Sequence, residues 1–274
     1  MIYERGYREC LRQCDLRGAL LFSTGLGSCR FGLFQYRDAL DTYLKARKLA
    51  VSLNDRPALA ALSFNLASLY LTTNDLDSAV SCLHDGLRGA PAERYYRVQL
   101  SVLLGMISAR RGDKVAALAA FHEAVSAAGG QDNAALEAFA WDHLGNDLLQ
   151  QNRLGEAERA LDEAFRLRLL NHDPDVFLSY STLAELKRRQ GDLRTARSLI
   201  EGAIAGSSRE RRSIPLYVSY HQRGEIRLAQ GDSVGALHDF GKSLDLARRW
   251  RLELITSDSV RTGTDVGLHE IFCS

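Results

Sequence analysis

"RRQGDLRTA" (residues 188–196) breaks a stretch that otherwise reads as helix, and the helical pattern resumes at once after Asp192. A glycine adopts the left-handed conformation that closes a helix C-terminus without steric cost. An aspartate after it can accept hydrogen bonds from the free N–H groups that open the next helix. Gly191-Asp192 therefore predicts a tight turn between two antiparallel helices. The same pair recurs as Gly112-Asp113 in "RRGDKVAA" and as Gly231-Asp232 in "AQGDSVGA". A lone glycine supplies no cradle of amides, so none of these is a phosphate loop.

The spacing of the pairs organises the rest of the chain. Gly112 and Gly191 are 79 residues apart, and Gly191 and Gly231 are 40 apart. Half of 79 points to a turn near residue 152, where Asn152 stands in "QQNRLGEA"; asparagine is the next-best left-handed residue. Counting back from Gly112 finds Asn74-Asp75 in "TTNDLDSA", and before it "GLFQYRDA". Six units thus begin near residues 20, 60, 98, 138, 177 and 217, at intervals of 40, 38, 40, 39 and 40. A fixed period of this size signals stacked supersecondary units, because one helix pair cannot bury its apolar face alone.

Three positions in every unit must be small if paired helices are to approach closely. They are Gly27, Ala39 and Ala46, then Ala67, Ala79 and Gly86, then Gly105, Ala117 and Ala124. The second half gives Gly145, Ala157 and Ala164, then Ala184, Ala196 and Ala203, then Gly224, Ala236 and Ser243. In the sixth unit Arg223 occupies a position where leucine is expected, which predicts weaker packing there. Pro57, Pro91, Pro174 and Pro215 all fall at junctions between units, where a first helical turn tolerates proline.

"WDHLGNDLLQQNRLGEAERALDEAF" (residues 141–165) and "LGMISARRGDKVAALAAFHEA" (residues 104–124) resemble tetratricopeptide repeats (TPRs): a large residue, Leu-Gly, then Ala, an aromatic or aliphatic residue, and Ala. The resemblance covers roughly residues 20–250. These units exceed the usual length by about a helical turn, as do the longer TPRs of kinesin light chain and of bacterial signalling proteins. It implies an all-α, right-handed superhelical α-solenoid of about six helix pairs over 18–251, preceded by an N-terminal helix at 1–17 (a cap or the remnant of a preceding repeat) and followed by a linker helix at 252–274 that leads to a downstream domain.

Composition supports helix and narrows the function classes. Of 274 residues, 46% are hydrophobic and 25% charged, with only four prolines. The net charge is +1, and it divides evenly: 16 basic and 14 acidic side chains lie in residues 1–137, and 19 and 20 in 138–274. Neither half reads as a nucleic-acid or membrane arm. No apolar run approaches the length of a membrane span, and a cytoplasmic location is the expectation. The cysteines (10, 14, 29, 82 and 273) are odd in number and scattered, which fits reduced thiols.

No constellation carries catalysis. Cys10 and Cys14 share a helix face but have no second pair at ligand spacing, so no metal or other cofactor is expected. His143 beside Asp142 has no nucleophile, and Cys273 matches no catalytic motif. "SSRERR" (residues 207–212) reads as a solvated basic loop, and Trp141 and Trp250 as helix-packing residues.

What remains is a surface. The TPR resemblance implies that the first helix of each unit faces the inside of the superhelix, where a protein or peptide would bind. Carrying over the family's groove positions picks out Asn65 and Ser68, Met106 and Arg110, then Asp142, His143, Asn146 and Gln150. The last two units give Ser181, Glu185 and Arg188, and His221, Gln222 and Glu225. Such polar side chains suit hydrogen bonding to a peptide backbone, and the acidic ones favour a basic ligand. The clamp with which chaperone-binding TPRs hold a C-terminal carboxylate is missing, since Phe64 and Asp142 stand where lysine is needed.

After "LDLARRWRLEL" the segment "ITSDSVRTGTDVGLHEIFCS" leaves the repeat frame and ends in an amphipathic pattern without a cap. It resembles the segment joining tandem TPRs to a CHAT domain, a caspase-like peptidase module of bacterial proteins. That resemblance implies a regulatory TPR region whose peptidase dyad lies downstream. The alternative is the ligand-sensing TPR arm of a bacterial nucleotide-switch (STAND-type) regulator.

Overall fold

Thirteen helices, and no strand, make up the described residues of the computed structural model, which are 2–89, 94–130, 133–173, 176–207 and 216–256. A first helix, α1 (Ile2–Arg12), precedes six helix pairs. In chain order these are α2 (Leu16–Gly32) with α3 (Tyr36–Ser52), α4 (Arg56–Thr72) with α5 (Leu76–Gly89), and then α6 (Arg94–Arg110), followed along the chain by α7 (Lys114–Ala128). They continue as α8 (Ala134–Gln150) with α9 (Leu154–Leu170), α10 (Val176–Arg189) with α11 (Leu193–Ser207), and α12 (Leu216–Ala229) with α13 (Ser233–Thr256). The first helices of the first four pairs start four residues before the repeat pattern does, so the extra turn lies at their N-termini. The linker helix expected at 252–274 lies mostly outside the described residues; α13 runs through Thr256.

Eight junctions share one construction: three residues, the middle one in the left-handed region. Asn74, Asn152, Gly112, Gly191 and Gly231 have φ of 59°, 60°, 79°, 85° and 84°, where the sequence places the turns. At Asn74 the chain closes α4 by donating from Asn74 N–H to the Leu71 carbonyl (3.1 Å) and from Asp75 N–H to the Tyr70 carbonyl (2.8 Å). The Asp75 carboxylate then accepts from Ser78 N–H at 3.1 Å and caps α5. One residue thus finishes a helix and begins the next. Asp192 and Asp232 cap α11 and α13 in the same way, through Thr195 N–H (3.1 Å) and Gly235 N–H (2.8 Å). Junctions between units use the device too: Cys14 and Asn54 have φ of 57° and 50°, and Asp15 and Asp55 cap α2 and α4. Pro57 sits in the first turn of α4; Pro91, Pro174 and Pro215 lie outside the described residues.

All eighteen predicted small positions are buried. At Gly145 an added Cβ would meet Leu161 Cγ at 2.6 Å and the Leu161 backbone nitrogen at 3.2 Å, so α8 and α9 touch almost backbone to backbone. The described residues divide into two compact units, one within residues 1–113 together with 254–256, the other within residues 114–253. In the first, Leu62, Leu66, Leu83, Leu100 and Ile107 form a fully buried core. In the second, Leu144, Leu149, Leu161, Leu186 and Ile200 do the same.

The sixth pair differs from expectation. Arg223 does not leave a poorly packed unit, because its guanidinium makes a bidentate pair with Asp239 of α13 (2.8 and 2.6 Å). Asp239 is fully buried and also meets Arg227 at 3.0 Å. The Arg223 guanidinium lies 4.9 Å from the Tyr220 ring centroid. Burial works to raise the Asp239 carboxyl, but hydrogen bonding and charge from Arg223 and Arg227 hold it below the ordinary aspartate value.

Candidate functional site: the first-helix surface

Each candidate residue lies on the first helix of its pair, and the two compact units present them differently. In the unit of residues 1–113, α4 packs directly on α6. Asn65 and Ser68 on α4 are half-buried, and the Ser68 hydroxyl donates to the Phe64 carbonyl at 2.9 Å. Met106 on α6 is 42% exposed, and Arg110 is exposed.

In the unit of residues 114–253, much of the expected groove is occupied with its own packing. Asp142 is 9% exposed and pairs with Arg168 of α9, itself 6% exposed. Arg168 also donates to the Ser179 hydroxyl of α10 at 2.6 Å and lies 3.8 Å from Asp173. Burial pushes the Asp142 carboxyl up to about 6, outweighing the pull of Arg168. His143 stacks on Phe121 (6.3 Å between centroids) and meets Phe139 edge-on at 4.6 Å. Burial, aided by the Arg168 charge, lowers its imidazole to about 4, so it is neutral near pH 7. Ser181 is 2% exposed, and its hydroxyl has no hydrogen-bond partner. Asp142 and Ser181 are therefore buried in this structure, while His143 is half-buried against Phe121 and Phe139. The sequence frame placed all three on the correct helix, but the breadth of the buried stripe takes Asp142 and Ser181 inside.

Asn146 is half-buried, and its amide donates to the Asp142 carbonyl at 2.9 Å, which leaves its oxygen as an acceptor. Gln150 is exposed. Glu185 is gripped by Arg188 (2.7 and 2.8 Å) and by Arg189 (2.6 Å). Burial works to raise the Glu185 carboxyl, but these hydrogen bonds hold it below the ordinary glutamate value. Arg188 lies 4.0 Å from Glu225 of α12. Three of the candidates, Glu185, Arg188 and Glu225, thus form one ionic group joining α10 to α12. His221 is exposed and tilted against Phe240 at 5.4 Å. Gln222 is half-buried, with its amide oxygen unpartnered.

Among the described residues no three His, Cys, Asp or Glu side chains form a metal-holding group, and no helix is long and apolar enough to cross a membrane.

The pairing of helices, the three-residue junctions and the small interhelical positions together define the architecture, and residues 19–92 match the tetratricopeptide repeat family. The fold is an all-α TPR solenoid. No curated protein matches the sequence. Among solved structures, the chain is similar to BtubC (BKLC) from P. vanneervenii at 18% identity and a TM-score of 0.66, covering 81% of this chain and 92% of that one. A Podosopora anserina protein described as a kinesin light chain with nearly identical TPR-like repeats matches at 16% identity and a TM-score of 0.58, over 70% of this chain and 97% of its own. A STAND protein with a tetratricopeptide repeat sensor from Pyrococcus horikoshii matches at 14% identity and a TM-score of 0.67. That match covers 90% of this chain and 39% of the STAND protein. At these identities the likeness is one of fold.

Proposed function

We propose that this TPR array is a non-catalytic, cytoplasmic scaffold whose first-helix surface binds a protein or peptide, acting as the sensing or regulatory region of a larger bacterial protein with a CHAT peptidase domain. The observation that carries the binding role is that first helices keep polar or accessible side chains after packing: Asn65 on α4, Met106 on α6, Gln150 on α8 and His221 on α12 remain half-buried or exposed. Asn65 and the free oxygen of Asn146 can serve a peptide backbone whatever its sequence. The test is a binding titration with the partner captured by the intact chain. Asn146→Ala should weaken binding by about 1–3 kcal/mol, while Arg194→Ala on α11 should not. Wild-type affinity in Asn146→Ala, with loss in Arg194→Ala, places the partner on the second helices instead.

The second reading is the sensing arm of a STAND-type regulator, favoured by the likeness to the TPR sensor of the Pyrococcus protein. The sequence flanking this region in its gene decides: a caspase-type His and Cys downstream supports the first reading, a P-loop upstream the second.

A further inference from the structure

Between α2 and α4 lies a cleft of about 840 Å³, lined by Arg17, Leu21 and Thr24 of α2, by Leu53 before α4, and by Arg56 and Ala61 of α4. Leu21 is 72% exposed there. Arg17 and Arg56 belong to the extra turn that precedes the repeat pattern. Both are exposed, and neither makes a hydrogen bond or ion pair with any described residue. The position is electrostatically unfavourable for arginine, because a helix N-terminus already carries positive partial charge. The only acid at each of these helix starts is its N-cap, Asp15 for α2 and Asp55 for α4, since neither helix has an acid in its first turn. Asp55, the one carboxylate lining the cleft, is committed to the Ala58 N–H at 3.0 Å. The prominent acids of the other compact unit are neutralised internally: Asp142 by Arg168, Glu185 by Arg188 and Arg189, Asp239 by Arg223 and Arg227. Arg17 and Arg56 thus stand at this cleft as two guanidinium groups without an ion-pair partner, beside the exposed Leu21.

We propose that this cleft docks an acidic peptide segment of a protein partner, with a carboxylate reaching Arg17 and Arg56 and an aliphatic side chain resting on Leu21, Leu53 and Ala61. The proposal rests on the peptide-binding reading above and reverses the ligand charge expected from the sequence. Two arginines beside an aliphatic wall fit a peptide better than a nucleic acid, for which no aromatic platform lines the cleft.

The probe is an unbiased displayed peptide library selected on the intact chain. Enriched peptides are then titrated by fluorescence anisotropy against wild type and the double variant Arg17→Glu/Arg56→Glu. Enrichment of Asp or Glu next to an aliphatic residue is expected, with at least a tenfold loss of affinity in the double variant and a further loss as salt rises. The double variant should melt no lower than wild type, since it places acids where helix N-termini favour them. Enrichment of basic or neutral peptides, unchanged affinity in the double variant, or tighter binding of a single-stranded oligonucleotide or of anionic vesicles overturns the proposal. So does failure to enrich any peptide. The wider surface reading stands or falls separately, on the Asn146→Ala titration with the captured partner.

Discussion

Asp142 and His143 are neighbours in α8 that respond to acid in opposite directions. The Asp142 carboxyl is raised from 3.8 to about 6, so its contribution to stability is complete below pH 3.8 and is lost as pH rises through 6. The His143 imidazole is lowered from 6.5 to about 4, so its contribution is complete above pH 6.5 and is lost as pH falls through 4. Between pH 4 and 6 the two changes oppose each other. His143→Phe should therefore gain stability relative to wild type as pH falls from 6.5 to 4, by on the order of 2–3 kcal/mol. Asp142→Asn carries a constant cost from the stranded Arg168, and its deficit should narrow as pH rises from 4 to 6. Urea midpoints at several pH values check both slopes; parallel curves for the two variants refute them. A third residue shows strain directly. Phe34 holds φ at 59° in the first unit's turn, where a side chain costs roughly 1–2 kcal/mol against glycine. Phe34→Gly should raise stability by roughly 0.5–1 kcal/mol, the relief of that strain less the added chain entropy of glycine; an unchanged or lower melting temperature refutes it.

The helix pair is the scale at which the sequence was most legible. Glycine or asparagine followed by aspartate marks a turn through local chemistry alone, and small residues at three recurring positions mark close approach. The same logic sets the cost of changing them. Ala157→Leu should overpack the α8–α9 contact and cost about 1–3 kcal/mol. Gly241→Ala is its counterpart: nothing lies within 4 Å of the added Cβ, so the change should stabilise α13 by about 0.5–1 kcal/mol. Thermal melts of the two variants should move in opposite directions. Less legible were the buried ion pairs. Arg223 reads as a misfit until Asp239 is seen sixteen residues on, at a position where the other units carry Thr42, Cys82, Ala120, Ala160 and Leu199. Comparing units at that second position would have found the partner. Nothing comparable announced Arg168, whose partners Asp142 and Ser179 come from two different helices.

At the scale of the whole molecule, an array of this kind gains its stability from neighbours rather than from one central core. Each compact unit has its own buried leucines, and residues 133–256 contain three complete helix pairs, α8 to α13. That fragment should give a helical circular dichroism spectrum and a cooperative melt when made alone. A coil spectrum would show that stability is not built pair by pair. Function was legible only in part at this scale. The sequence places the candidate residues on first helices, but it does not reveal which of them packing consumes, because the width of a buried stripe depends on neighbouring units. Asp142 and Ser181 were lost to the interior for that reason. Arg17 and Arg56 were passed over because they precede the start of the repeat pattern, at residues 20 and 60.

The three-residue junctions also say something about how such a chain can change length. At Asn74 the three residues Thr73, Asn74 and Asp75 are all committed, to closing α4 and capping α5. One inserted residue inside a helix turns everything beyond it by about 100°, which would swing Ala79 and Gly86 away from their partner helix. A whole unit copied or removed between one such junction and its equivalent meets no such penalty, since Cys14-Asp15 and Asn54-Asp55, one unit apart, present the same ends to the chain on either side. Lineages descended from a chain like this one should therefore differ by entire helix pairs far more often than by single residues.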